Sequence, residues 1–471
     1  DLDPDDNADG VIDRDSDHDG LIEIHNLAEL DAIRNNLQGT GFTQELNGVV
    51  DSSGCPRYFI NGQSIQKCIG YELMEDLDFD TNKDEKLNSA DEFYHGGLGW
   101  LPIGLNVTIF SGIFEGNNHT IKNLYIQRRD ENNIGLFSTL GNAEIRNLHI
   151  EIPNRIDGNN SVGSLVGFSS ASHFENISAN INLFSKSTQI GGLIGYAHSN
   201  NIMINCRTEG TITAGGDFVG GLVGQFLNHN SVSHSYSTVN LTSSTSYTGG
   251  LIGQAGSNNT IKMSYATGTV KGHVSVGGLI GKILSSNTIS TSYATGAVQG
   301  SGNQGGLIGS IDDNNIILYS YATGAVNPGS NVGGLIGYGG GGSNIISNSY
   351  WATDNNAQLI SSGSSDATNY VGLTLASLQC ATSASETAAA NGCVFDSGNV
   401  AVDLPAALAL YNEWELAGKN IEAGEFEPYW DFGTSQQLPV LIKDGIVRRD
   451  TDADSIFDQY DVYIDIPLGD R

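Results

Sequence analysis

The sequence predicts an all-β parallel solenoid, and three observations carry that prediction. The block Gly-Gly-Leu-Ile/Val-Gly begins at Gly191, Gly220, Gly249, Gly277, Gly305 and Gly333, at intervals of 29, 29, 28, 28 and 28 residues. A second block, 259–270, recurs at 287–298 and 315–326 and, in altered form, from Asn230 and Asn344. Within each unit the apolar runs are short and interrupted by Gly, Asn and Ser, without the i, i+3, i+4, i+7 pattern of a helical repeat. Three short strands and three turns fill 28 residues, which makes one coil. Coils stacked at about 4.8 Å bring equivalent residues into line.

Five regions follow in chain order. Residues 1–25 read as an acidic, calcium-binding segment, and 26–100 as an N-terminal cap. In the cap, 26–37 has a helical apolar period (Leu27, Leu30, Ile33, Leu37), with Asn26 as N-cap, Glu29 three residues on and Gly39 as a stop. This helix is expected to lie across the open N-terminal mouth. Residues 101–360 form the solenoid. There Leu193, Leu222, Leu251, Leu279, Leu307 and Leu335 predict an apolar file inside the coil. Tyr236, Tyr265, Tyr293, Tyr321 and Tyr350 predict an aromatic file, and Asn230, Asn259, Asn287, Asn315 and Asn344 an amide ladder at a turn. The glycines serve either a left-handed corner or a close backbone approach. Residues 361–447 lose the period and read as a C-terminal cap, with short helices near 373–378 and 406–415. Residues 448–471 form a second acidic, calcium-binding segment.

The acids are spaced for a hard cation. Asp450, Asp452, Asp454, Asp458 and Asp461, with the carbonyl of Ile456, occupy positions 1, 3, 5, 9, 12 and 7 of an EF-hand-type loop, with Ser455 in place of its glycine. Asp80, Asn82, Asp84, Lys86 (carbonyl), Asn88 and Asp91 repeat that spacing, again without the glycine. Near the N-terminus, Asp5, Asn7, Asp9 and Asp13 surround Gly10, and Asp15, Asp17, Asp19 and Glu23 surround Gly20. Carboxylates at alternate positions repel one another unless a divalent cation sits among them, and Ca²⁺ takes six to eight oxygens. The alternative reading is a solvated acidic run of turn-forming aspartates.

Composition narrows the partners. The 471 residues carry 21 Lys+Arg against 53 Asp+Glu, a formal charge of −32, which excludes nucleic acid and anionic membrane as default surfaces. No apolar run reaches the ~20 residues that span a bilayer, and no basic-apolar leader opens the chain. A mature secreted product or a soluble fragment is therefore expected. Cys55 and Cys68, and likewise Cys380 and Cys393, stand 13 apart in Gly/Ser/Asn-rich stretches. Two loop-closing disulfides and an extracellular setting are expected. Cys206, left over, is expected to be buried.

The Gly-Gly-Leu-Ile-Gly blocks with their Ser-Tyr-Ala-Thr-Gly partners resemble the GLUG-motif repeats of bacterial surface proteins. The run from Trp100 to Gly104, followed by Phe110 to Ile121, is similar to the stretch that precedes such repeats. The N-terminal Asp-x-Asp-x-Asp-Gly runs resemble thrombospondin type 3 loops. The resemblance covers about residues 20–445 and implies an exported, repetitive protein of the bacterial cell surface, without implying a reaction.

The expected function is structural: an extracellular, Ca²⁺-stabilised solenoid acting as filament subunit or adhesin stalk, with head-to-tail self-association through calcium loops at its acidic ends or attachment within a larger surface protein. One alternative is a polysaccharide- or protein-binding adhesin module without self-assembly. Another is a β-helix enzyme that cleaves polysaccharides. Cleavage needs carboxylates paired across adjacent coils, and residues 190–350 hold only Glu209, Asp217, Asp312 and Asp313. No catalytic residue is assigned, and neither nucleic acid nor membrane insertion is expected.

Overall fold

A computed structural model describes residues 15, 17, 19–40, 42–43, 50–51, 57–60, 63–66, 68–105, 108–152, 155–340, 342–354, 365–379, 414, 430–431, 437–443 and 446–448. The chain winds as a parallel β-solenoid. One side is an eight-stranded parallel sheet from Phe137–Gly141 to Ile336–Gly339, and a second is a seven-stranded sheet from Asn160–Val162 to Asn331–Gly333. A 22-stranded sheet forms the remaining surface. From Phe137 to Ala352, strand partners stand 28 or 29 residues apart, as in Ile252↔Ile280 and Val223↔Ile252.

The repeated block turns the corner between the first two sheets. The backbone N–H of Leu222 donates to Leu251 O, Leu251 to Leu279 O and Leu279 to Leu307 O, each at 2.9 Å. Leu193, Leu222, Leu251, Leu279, Leu307 and Leu335 are all fully buried, so they form the single interior file that the period predicts. Burying one such leucine contributes about 1.5–3 kcal/mol.

The glycines of this block allow close approach. A Cβ on Gly250 would stand 2.1 Å from Gly278 O, and one on Gly278 2.1 Å from Gly306 O. Neither adopts positive φ, whereas the corner before them is left-handed at Gln189, Phe218 and Tyr247 (φ 59°, 59° and 63°).

The asparagine ladder also forms, with one rung more than expected. Asn201, Asn230, Asn259, Asn287, Asn315 and Asn344 are buried. From Asn201 to Asn315, each backbone N–H donates to the next coil's Oδ1, at 2.8 Å from Asn201 to Asn230 and 2.9 Å from Asn287 to Asn315. The side-chain amide of Asn287 donates to the same Oδ1 of Asn315 at 3.0 Å. Each ladder thus satisfies polar groups that burial would otherwise leave unpaired. Cys206 is buried, and it stands in a file of serines. Its N–H donates to Ser235 Oγ at 3.0 Å, as that of Ser235 does to Ser264 Oγ at 3.3 Å.

Both ends differ from the expected boundaries. The parallel ladder starts at Leu21–Ile24, which pairs with Gly70–Leu73, which pairs with Ile113–Glu115. The stack thus begins inside the segment 1–25 and not at residue 101. Insertions between these first strands hide the period, although Leu-Ile-Glu-Ile and Gly-Tyr-Glu-Leu still alternate apolar residues with Glu. At the other end Ser365–Leu373 pairs in parallel with Asn344–Ala352, past residue 360.

The N-terminal helix is shorter than the span 26–37. It runs over Leu27–Ala32 and tightens to a 3₁₀ turn at Ile33–Asn35. Asn26 Oδ1 caps it by accepting from Glu29 N–H at 2.9 Å, while Glu29 accepts in turn from His25 N–H at 2.7 Å. Leu27, Leu30 and Ile33 join the same core as Ile22, Ile24 and Tyr71, sealing the first coils. No helix among the described residues is long and apolar enough to cross a membrane.

The described part of the C-terminal region lies along the side of the solenoid. After the helix Leu375–Gln379, the strands Trp430–Asp431, Val440–Lys443 and Ile446–Val447 pair antiparallel. With Trp414 they form a strap over the tyrosine file. Tyr265, Tyr293, Tyr321, Tyr350, Leu378, Trp414, Trp430 and Leu441 make a second apolar cluster, outside the core. Of the helix expected at 406–415, only Trp414 falls among the described residues.

Candidate functional site

Two acidic loops share one internal wiring. Asp15 Oδ1 accepts from Asp19 N–H at 3.1 Å and its Oδ2 from Gly20 N–H at 2.9 Å. Asp17 Oδ1 also accepts from Asp19 N–H, and Asp19 Oδ1 accepts from Leu21 N–H at 2.8 Å. In the second loop, Asp80 accepts from Asp84 N–H at 3.2 Å and Glu85 N–H at 2.8 Å, Asn82 Oδ1 from Asp84 N–H, and Asp84 Oδ1 from Lys86 N–H. The left-handed position that Gly20 holds at φ 95° is held by Glu85 at φ 62°. The missing glycine therefore does not change the turn.

The two loops differ in how their acids converge. Oxygens of Asp15, Asp17 and Asp19 lie within 4.8 Å of one another, the one such acidic group among the described residues. That span matches oxygens sharing one ion at about 2.4 Å. Burial pushes the Asp15 carboxyl up to about 6, partly offset by the Gly20 N–H and reinforced by Asp19 and Asp17. Burial likewise raises Asp19. In the 80–91 loop, Asp91 accepts from Asn82 N–H and Asn88 N–H. The Asn88 amide donates to Lys86 O at 2.9 Å and to Asp84 Oδ2 at 3.0 Å, so two predicted ligands point at one N–H₂ group. Asp5, Asn7, Asp9, Asp13, Asp450, Asp452, Asp454, Ile456, Asp458 and Asp461 lie outside the described residues, as do Cys55, Cys380 and Cys393. Cys68 is fully buried.

A ladder of glutamates stands beside the first loop, and sequence reasoning found only one of its members. Register places Glu23, Glu72 and Glu115 side by side on consecutive strands. Their neighbours Ile22, Ile24, Tyr71, Leu73 and Phe114 point into the core, so the three carboxylates point outward. They are nevertheless buried, with Glu72 only 4% exposed. Glu115 is compensated by Arg146 Nε, by Asn147 Nδ2 at 3.1 Å and by Asn117 N–H at 2.7 Å. Glu72 Oε2 accepts from Asn117 Nδ2 at 2.7 Å, while its Oε1 is buried without a partner. Burial pushes Glu72 up to about 7; Asn117 opposes this, and the charges of Asp19, Asp17 and Glu23 add to it.

The second feature is the flank that carries the tyrosines. Rings of Tyr236, Tyr265, Tyr293 and Tyr321 stack 4.7, 4.7 and 4.9 Å apart, all within 3° of parallel. The strap closes over them. Tyr321 Oη donates to Pro439 O at 2.7 Å, Trp414 packs on Tyr350 at 5.7 Å, and Trp430 packs on Tyr293 at 6.1 Å. The strap reaches Tyr236, where the Arg448 guanidinium lies 5.2 Å over the ring and donates to Asn205 Oδ1 at 2.8 Å.

Toward the N-terminus the same file reads Thr120, His149, Ser178 and Arg207, because Arg207 pairs with Tyr236, Ser178 with Arg207 and His149 with Ser178. Small polar residues leave a groove of about 470 Å³ there. Its edge is an exposed asparagine ladder, in which Asn205 donates to Asn176 at 2.7 Å and Asn176 to Asn147 at 2.8 Å. These asparagines adopt φ of 52–54°, a left-handed turn that Asn tolerates. His149 Nδ1 meets Ser178 Oγ at 2.6 Å.

No family model matches the chain. It is 42% identical over 105 residues, 22% of its length, to halomucin of Haloquadratum walsbyi. It is 37% identical over 81 residues, 17% of its length, to a "Putative Gly-rich membrane protein" of Evansella cellulosilytica. These matches cover 1% and 8% of the two curated relatives. Among solved structures, the chain is similar to a "putative immunoglobulin A1 protease" from Bacteroides ovatus, at 16% identity and a TM-score of 0.39 over 68% of this chain and 84% of that one. It is also similar to an "IgA1 Protease", at 16% identity and a TM-score of 0.33 over 69% of this chain and 21% of that one.

Proposed function

We propose that the chain is a non-catalytic, extracellular solenoid stalk of the bacterial surface, of the GLUG-repeat kind, stabilised by Ca²⁺ at its acidic loops. The observation that carries this reading is the repetition of leucine, asparagine, serine and tyrosine from coil to coil. It builds length and stiffness without distinguishing any one coil. The similarity to halomucin and to a Gly-rich membrane protein supports a surface setting. Calcium is supported by the shared wiring of the two loops and by the converging oxygens of Asp15, Asp17 and Asp19. Loop-closing disulfides at Cys55–Cys68 and Cys380–Cys393 belong to the same extracellular reading.

Head-to-tail association of stalks is part of the proposal. Among the described residues, the first strand, Leu21–Ile24, and the last of the stack, Ser365–Leu373, each have a ladder partner on one side, and such edges invite pairing. Electron microscopy of the full chain with calcium and with chelator tests this. Rods that lengthen with calcium and shorten on chelation are expected; rods whose length and melting temperature ignore calcium overturn it. A second reading, a binding module without self-assembly, is favoured by the open polar groove around His149 and Arg207. Single-length rods that retain a glycan or protein ligand would select it.

A further inference from the structure

One guanidinium, at the end of the polar groove, stands apart from the others. Arg34, Arg128, Arg129, Arg146 and Arg155 each hold a carboxylate. Arg207 is exposed, and among the described residues its side chain has no ion pair or hydrogen bond. None of the described residues lining the groove is an acid, although the chain carries 53 Asp+Glu against 21 Lys+Arg. A second positive charge closes the same end, because Arg448 lies over Tyr236, the rung after Arg207, and donates to Asn205 Oδ1. This end of the groove is thus a positive spot on an acidic molecule, and it suits an anion.

The walls decide which kind of anion fits. Asn147, Asn176 and Asn205 each spend one amide N–H and the Oδ1 on the ladder and its two ends, which leaves each amide a second N–H. The coils repeat at about 4.8 Å, close to the length of one pyranose ring. The apolar residues at the groove, Leu148 and Ile177, are buried in the core, so no pocket exists for an apolar peptide side chain. The strands beneath, Thr120–Lys122, Glu144–Ile152, His173–Ser185 and Arg207–Ala214, are paired on both edges. A peptide therefore cannot join them as an added strand. The volume of about 470 Å³ suits a short oligosaccharide.

We infer that the groove takes an acidic saccharide, a uronate-bearing chain laid across the coils. Its carboxylate is held by the Arg207 guanidinium, whose fork matches such a group with two parallel N–H donors. Its hydroxyls meet the spare amide N–H groups of the asparagine ladder. The inference rests on the binding reading of this groove, adds the class of ligand and the residue that selects it, and holds whether or not the stalks associate.

Calorimetric titration of the full chain with three matched probes tests it: a β-1,4-linked glucuronate trimer, its uncharged glucose counterpart and a triglutamate peptide. The uronate is expected to bind, with the other two about tenfold weaker or more, as loss of a charge-assisted pair or of the matching hydroxyls implies. Arg207→Ala is expected to bring the uronate down to the level of the glucose trimer with the melting temperature unchanged, because the side chain is exposed. Asn176→Asp, which sets a like charge beside the ligand, is expected to weaken the uronate as much and to leave the glucose trimer alone. If the glucose trimer binds as tightly as the uronate and Arg207→Ala changes neither, the acidic assignment falls and the binding reading stands. If the peptide matches the uronate, the saccharide class falls. If no probe binds, the inference falls together with the glycan form of the binding reading. An Arg207→Ala protein that melts well below the parent also overturns it, since Arg207 would then serve the fold.

Discussion

The two halves of the tyrosine flank have the same backbone and opposite surfaces. From Tyr236 to Tyr350 the file is aromatic, stacked and roofed by Trp414 and Trp430. From Thr120 to Arg207 it is small or polar, and the groove beside it is open. Successive coils hold the column in register throughout, so the side chain alone decides whether the flank is closed. Large planar rings at about 4.8 Å stack and offer an apolar strip that needs a cover. Thr, His, Ser and Arg offer no such strip.

The largest expected effect comes from removing the roof. Trp430→Ala should weaken docking of the strap by about 3–5 kcal/mol, the range for a buried aromatic, with the leucine core unaffected. Hydrogen exchange should show lost protection at the strap strands Val440–Lys443 and Ile446–Val447 and none at Leu251. Equal loss at both would mean that the strap belongs to the core.

Alkaline pH should loosen the covered half of the flank. Burial, and then the neighbouring Tyr293 and Tyr236, hold the Tyr265 phenol well above its ordinary value, with Arg448 opposing. The raised folded value means that this contribution is fully present below the unfolded pKa near 10 and is lost as pH rises toward the folded value. The loss amounts to about 1.4 kcal/mol per pH unit for one such phenol. Tryptophan fluorescence should report release of the strap above pH of about 10, and a strap indifferent to pH 11 would contradict the burial of this ring.

Smaller effects test the junction. Arg448→Ala removes the guanidinium over Tyr236 and its bond to Asn205, and should cost the strap about 1 kcal/mol. Urea titration followed by strap fluorescence would measure it. Asn176→Ala breaks the exposed ladder at one rung and should change the global melt by about 0.5 kcal/mol or less, because water replaces the lost bonds. A loss as large as that of Trp430→Ala would make the open half a structural element equal to the covered one.

How much of this was legible follows from where each residue finds its partner. Leu251, Asn287 and Tyr293 meet their own copies one coil away, so a period in the chain is a contact in space. The acidic loops were read from the spacing of their acids alone, and that Glu85 takes the left-handed turn in place of the motif's glycine is visible only in the structure. The strap was not legible, because Trp430 and Arg448 touch tyrosines far away in the chain and no repeat announces it. Nor was the start of the ladder, because insertions separate Glu23, Glu72 and Glu115 unequally. Their adjacency exists only through strand register.

The buried amide file has a consequence for how such a chain can change length. Every interior asparagine donates its backbone N–H and its amide forward to the next coil's Oδ1, and the same amide also donates back to a carbonyl of the preceding coil. Removing the stretch 259–286 would therefore hand Asn230 an acceptor at Asn287 identical to the one it lost at Asn259. Whole windings can be excised or duplicated with both extremities untouched, and the reach of the molecule becomes a property that gene duplication can adjust one winding at a time.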